Sequence, residues 1–98
     1  MAATPEAKIK AKVTKLLQQV TDLYYWMPVP SGYGASTLDY VGCYRGLYFS
    51  IETKAPGKHP TARQSLVIGS IHRAGGKVFV IDSDNLSELE DWLYEVGG

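Results

Sequence analysis

Leu47-Tyr48-Phe49-Ser50-Ile51-Glu52-Thr53-Lys54, followed at once by Ala55-Pro56-Gly57, is the stretch on which the reading of this chain turns. Its residues alternate with the period of a strand. Leu47, Phe49, Ile51 and Thr53 share one face, and Tyr48, Ser50, Glu52 and Lys54 share the other. A carboxylate and an ammonium two residues apart therefore project the same way from the end of a strand rich in apolar and aromatic side chains. Charges are costly to bury in a sheet unless they are paired or bind a metal, so their position marks a site. Asp39 lies thirteen residues before Glu52, in Leu38-Asp39-Tyr40-Val41-Gly42. A hairpin turn at Tyr44-Arg45-Gly46 brings that segment back beside Glu52. The expected arrangement has Asp39 and Glu52 holding a divalent cation while Lys54 assists the chemistry.

Working outward, strands are expected over Tyr24–Met27, Asp39–Cys43 and Leu47–Lys54, the first stopped by Pro28 and Pro30. Before them, Thr4-Pro5-Glu6 reads as a helix start: a capping hydroxyl, proline at the first helical position and an acid against the macrodipole. Ile9, Val13, Leu16, Leu17, Val20 and Leu23 then form an amphipathic stripe. Lys8, Lys10, Lys12 and Lys15 lie mostly off it, as an ordinary solvated face or, alternatively, as contacts to phosphates. After Ala55–Pro60 a second helix begins at Thr61, with Leu66, Val67, Ser70 and Ile71 or Ala74 toward the core, and Gly75-Gly76 ends it. Lys77–Asp82 is a buried strand. A last helix starts near Asn85, with Asn85-x-x-Glu88 as a capping box and Leu86, Leu89, Trp92 or Leu93, and Val96 as its stripe. The order is α-β-β-β-α-β-α in one domain, residues 1–98, a small mixed α/β sandwich.

Composition narrows the classes. A chain of 98 residues with 45% apolar content supports one core and not two. The single cysteine, Cys43, excludes an internal disulfide framework and fits a reducing, intracellular compartment; on its strand it is expected to be a small buried hydrophobe. No apolar run approaches the roughly 20 residues of a membrane span, and the N-terminus lacks the apolar core of a signal peptide. Net charge is zero, but all ten Lys/Arg lie before residue 78 against four acids, whereas the remainder carries six acids and no base. A basic body with an acidic terminal helix presents one positive surface to a polyanion.

The ordered set Glu6, Asp39, Glu52-Thr53-Lys54 and Gln64 resembles the PD-(D/E)XK nuclease superfamily. Gly42, Tyr44-Arg45-Gly46, Ile51-Glu52-Thr53-Lys54, Thr61-x-x-Gln64 and Gly75-Gly76 are similar to its VRR-NUC branch, the virus-type replication-repair nucleases, over residues 6 to 81. One departure is that Asp39 follows Leu38 rather than a proline. The resemblance implies a restriction-endonuclease-like mixed sheet flanked by helices and a Mg²⁺- or Mn²⁺-dependent endodeoxyribonuclease. By the same resemblance Asp39, Glu52 and the Thr53 carbonyl hold the metal, and Asp39, Glu52, Lys54, Gln64 and Glu6 are the catalytic set. Mg²⁺ takes one or two carboxylates plus substrate oxygen, so the hard oxygen donors suit it.

Two readings of Gln64 stand together: Thr61-x-x-Gln64 is itself a capping box, and a capped first turn points into the site. Glu6 likewise is either a helix-start acid or an outer member of the metal site. Tyr33, Arg45, Lys58 and Arg63 are candidate nucleic-acid contacts by charge or stacking. The stand-alone branch is similar to Holliday junction resolvases, which implies a homodimer acting on branched DNA, with Trp92, Tyr94 and Tyr48 available for a two-fold interface. The rival readings are a non-catalytic nucleic-acid-binding module on the same fold, and a nuclease for flaps or other DNA ends.

Overall fold

The computed structural model describes residues 4–29 and 37–98. The elements are α1 (Pro5–Gln18), β1 (Leu23–Trp26), β2 (Tyr40–Tyr44), β3 (Leu47–Thr53), α2 (Ala62–Arg73), β4 (Lys77–Ile81) and α3 (Leu86–Gly97), in the expected order. The strands form one mixed sheet, β1-β2-β3-β4. β1, β2 and β3 run antiparallel; β4 lies parallel to β3 because α2 crosses over between them.

Tyr44 pairs with Leu47, which leaves Arg45 and Gly46 as a two-residue turn. Both have positive φ, 52° and 82°, the combination that matches the twist of a hairpin. The register then sets Tyr40 opposite Ile51 and carries Asp39 to the end of β3 beside Glu52 and Thr53, as the hairpin reading requires. Gly42 permits the close packing on this hairpin. A Cβ there would collide with the Tyr24 carbonyl and come within 2.6 Å of the Phe49 ring.

One face of the sheet makes the core. Tyr40, Tyr44, Phe49, Ile51, Phe79 and Ile81 pack there against Ile9, Val13 and Leu17 of α1 and Leu89 and Leu93 of α3. Trp92 sits against Tyr44, Phe49 and Phe79 with ring centroids 5.4–6.1 Å apart. That corrects the expectation that Trp92 is free for a two-fold interface: its ring is engaged in the core. The Tyr40 hydroxyl ties α1 down, 2.6 Å from Thr14 Oγ1 and donating to the Lys10 carbonyl at 2.9 Å.

Among the described residues the other face carries α2, and the sequence reading is overturned at two places on this face and at the start of α3. The stripe Leu66, Val67, Ser70 and Ile71 or Ala74 does not reach a core. No residue of α2 is buried, and Leu66 is 72% exposed. Helical period reveals that a stripe exists, not whether anything covers it. α2 rests over β4 at the sheet margin, where Val78 and Val80 are only half-buried. Cys43 is exposed rather than buried, because α2 does not extend over β2. The Asn85–Glu88 capping box does not form. Asn85 instead accepts from the Asp82 N–H at 2.8 Å and donates to the Val80 carbonyl at 2.7 Å, latching the turn from β4 into α3.

The starts of α1 and α2 are built as expected. Thr4 Oγ1 accepts from the Ala7 N–H, with Pro5 and Glu6 in the first turn. Thr61 and Gln64 form the reciprocal box. The α1 stripe ends before its last two expected members: the helix stops at Gln18, Val20 follows it in the connection and Leu23 opens β1. Among the described residues no helix is long and apolar enough to cross a membrane.

Candidate active site

Three segments converge where the C-terminal end of β3 meets the starts of α1 and α2. β3 contributes Glu52, whose residue is 3% exposed; the approach to β2 contributes Asp39; the first turn of α1 contributes Glu6, half-buried. One carboxylate oxygen from each lies within 4.8 Å of the other two. Like charges this close repel strongly in a low-dielectric setting, so cations and donors must hold them.

Each carboxylate on the sheet has its own clamp. Asp39 Oδ2 accepts from the Thr53 backbone N–H at 2.8 Å and from the Thr53 hydroxyl at 2.7 Å. Its other oxygen lies 3.5 Å from Lys10 Nζ. Glu52 Oε2 accepts from Gln64 Nε2 at 2.8 Å and lies 3.3 Å from Lys54 Nζ. Gln64 therefore caps its helix and also contacts Glu52. Its Oε1 accepts from the Thr61 N–H at 2.9 Å, its backbone N–H donates to Thr61 Oγ1, and its amide NH₂ grips Glu52. The capping bond fixes which end of the amide faces the carboxylate, since only Nε2 donates.

Burial pushes the Glu52 carboxyl above the ordinary carboxylate range. The nearby Asp39 charge adds to this, while Lys54 and a backbone hydrogen bond from Asp39 pull the other way. A carboxylate that is costly to ionise alone, set beside two further acids, is the donor chemistry that a hard divalent cation satisfies. The residues present fit Mg²⁺ or Mn²⁺ on that ground.

No protein-family model matches this chain, and no curated protein or solved structure matches it at a significant level.

Of the residues expected here, Glu6, Asp39, Glu52, Thr53, Lys54 and Gln64 come together. Thr53 does so as a donor that orients Asp39. Lys58 and Arg63 are exposed on the loop after β3 and the first turn of α2, beside Lys54 and Gln64 in the chain. Arg45 is not brought to the site. It stands in the hairpin turn at the other end of β2 and β3, roughly 20 Å along the strands from Asp39, with its guanidinium over the Tyr44 ring. Tyr33 lies outside the described residues.

Neither reading of Lys10, solvated face or phosphate contact, anticipates its pairing with Asp39. A signal for it was present: Lys10 follows Glu6 by four positions, so any turn that aims Glu6 at the acids aims Lys10 there too.

Proposed function

We propose that this protein is a Mg²⁺- or Mn²⁺-dependent endonuclease of the restriction-endonuclease-like type, hydrolysing phosphodiester bonds in DNA. The observation that carries the reading is the convergence of Glu6, Asp39 and Glu52 within 4.8 Å, with Lys54 beside the most buried of them. Glu52 and Asp39 would hold the cation, with Glu6 outside them, and the Thr53 carbonyl completes the set that the resemblance implies. The bound cation supplies Lewis acidity toward the phosphate.

The protein's own groups do the remainder. Thr53 and Gln64 fix the rotamers of the two carboxylates, so their oxygens need not reorganise when a phosphate arrives. Lys54, already held against Glu52, is placed to neutralise charge developing on the phosphate oxygens. Lys10 balances Asp39 from the α1 side. A four-way junction is the substrate favoured by the resemblance. Symmetric incision of a junction needs two sites at fixed separation, hence a homodimer.

The test is incubation of labelled four-way junction, flap and linear duplex with the protein, with and without Mg²⁺ or Mn²⁺. Metal-dependent product is expected, falling by two orders of magnitude or more for Glu52→Gln, Asp39→Asn and Lys54→Ala when their melting curves remain cooperative. Binding of branched DNA with no product under any metal would leave a non-catalytic module on the same fold and overturn the enzyme.

A further inference from the structure

Among the described residues, the sheet face that carries Glu52 continues toward β1 through the buried Ser50 and Val41 to two open rings. Trp26 pairs with Val41, which pairs with Ser50; Tyr24 pairs with Cys43, which pairs with Tyr48. Residues opposite one another in an antiparallel pair point to the same face, and so do residues two apart on one strand. Trp26 and Tyr24 therefore share their face with Ser50 and Glu52. They stand in the two rows that succeed the carboxylate row, at a spacing of roughly 7 Å per row.

Both rings are open: Tyr24 is 66% exposed and Trp26 48%. Their centroids are 5.8 Å apart with the planes inclined at 46°, so each ring keeps an accessible surface rather than stacking on its neighbour. The rows around them hold Val41, Cys43, Ser50 and Tyr48, with no Lys, Arg, Asp or Glu among them.

We propose that Tyr24 and Trp26 form a stacking platform for unpaired nucleobases, holding the strand whose phosphate lies at Glu52 and Lys54. This rests on the nuclease reading of the adjoining site. Three features select nucleobases over a second copy of this chain. Trp26 stands on the same face one row from the carboxylates, where the nuclease reading places a backbone phosphate. It offers flat aromatic surface without charge, which suits the π-face of any base and carries no sequence preference. And the two rings together present roughly 250 Å², at about 150–250 Å² for a wholly covered aromatic side chain, far below the ~800 Å² per partner of a stable interface. As β1 is an edge strand, the platform is open at its side for a strand to leave the site.

The experiment is a titration in chelator, so that nothing is cut. The probes are fluorescein-labelled oligothymidylate of about eight nucleotides, an abasic oligomer of the same length and charge, and blunt duplex. Oligothymidylate is expected to bind more tightly than its abasic counterpart and to quench Trp26 emission. In Trp26→Phe, affinity is retained and the quench is lost. Trp26→Ala and Tyr24→Ala each weaken oligothymidylate by about tenfold and leave the abasic oligomer and the duplex within twofold.

Equal binding of oligothymidylate and abasic oligomer, or no effect of Trp26→Ala on either, overturns the platform. So does a protein mass of two chains that Trp26→Ala reduces to one, which would make the strip a self-association face. Cleavage of duplex by the unmodified protein with Mn²⁺, measured alongside, separates the two failures. The platform can fall while cleavage persists, whereas absence of both binding and cleavage removes the nuclease reading as well.

Discussion

A single amide carries two duties in this molecule, and separating them is the sharpest test at the scale of one residue. Gln64 closes the α2 cap through Oε1 and holds Glu52 through Nε2. Gln64→Ala removes both bonds and is expected to cost about 1–2 kcal/mol of stability, read from denaturant midpoints. Gln64→Glu keeps an acceptor for the Thr61 N–H but turns the donor facing Glu52 into a second carboxylate. It should therefore retain the helix start, seen as preserved amide protection in the first turn of α2, while losing metal-dependent cleavage at neutral pH. Equal cleavage by Gln64→Glu and the unmodified protein would reduce Gln64 to a cap. Glu52 yields a pH prediction of definite sign. Its carboxyl takes a proton more readily folded than unfolded, because burial and then Asp39 raise its pKa. Such a group subtracts stability as pH rises from the ordinary carboxylate range through its raised folded value. In chelator, Glu52→Gln should melt above the unmodified protein at neutral pH, and the gap should close as pH falls toward about 4. A gap that widens on acidification would refute the assignment.

Among the elements, β3 was the most legible in sequence and α2 the least. Alternation from Leu47 to Thr53, with a two-residue turn before it, specifies strand, register and the position of Asp39 beside Glu52, since each follows from period and local turn chemistry. The cap residues of α1 and α2 were equally readable, being set by neighbours three or four positions away. What local pattern does not encode is which side of a sheet a helix covers. The α2 stripe, the exposure of Cys43 and the open rings of Tyr24 and Trp26 all follow from a long-range fact, that α2 lies over the β4 side of its face and not over these three side chains. The pairing of Lys10 with Asp39 was missed for the same reason: that helix face ends at the carboxylates. The element that decides whether Glu6 and Lys10 reach them is α1, and Tyr40 is its anchor. Tyr40→Phe leaves the Thr14 hydroxyl without that partner and should lower stability by about 1–2 kcal/mol. Hydrogen exchange should show the loss concentrated in α1, with β2 and β3 protected as before. A uniform loss across the sheet would mean that the hydroxyl does not anchor the helix.

On the scale of the whole molecule, charge is divided among the helices: α3 carries four acids and no base, and α1, on the same sheet face, carries Lys8, Lys10, Lys12 and Lys15. The acids of α3 accompany the core face, where Glu88, Asp91 and Glu95 border a groove with Lys77. The candidate site lies at the end of β3 with Lys54 against Glu52, and the exposed Lys58 and Arg63 follow in the loop after β3 and the first turn of α2. On the nuclease reading, a polyanion would be repelled by α3 and drawn to the cations after β3 even though the net charge is zero, because the field of separated charges survives when their sum does not. Each cation that meets a phosphate releases counterions, so its removal weakens binding and lowers the salt dependence by about one unit of slope. Lys58→Ala and Arg63→Ala should each do so for duplex DNA in chelator. Arg45→Ala should leave the slope unchanged, since Arg45 lies roughly 20 Å along the hairpin from Asp39. Measuring log Kd against log salt for the three variants decides whether the polyanion runs across the α2 side, as the position of the carboxylates requires, or along the hairpin. A slope reduced by Arg45→Ala and not by the other two would move the DNA to the wrong end of β3 and separate it from Glu52.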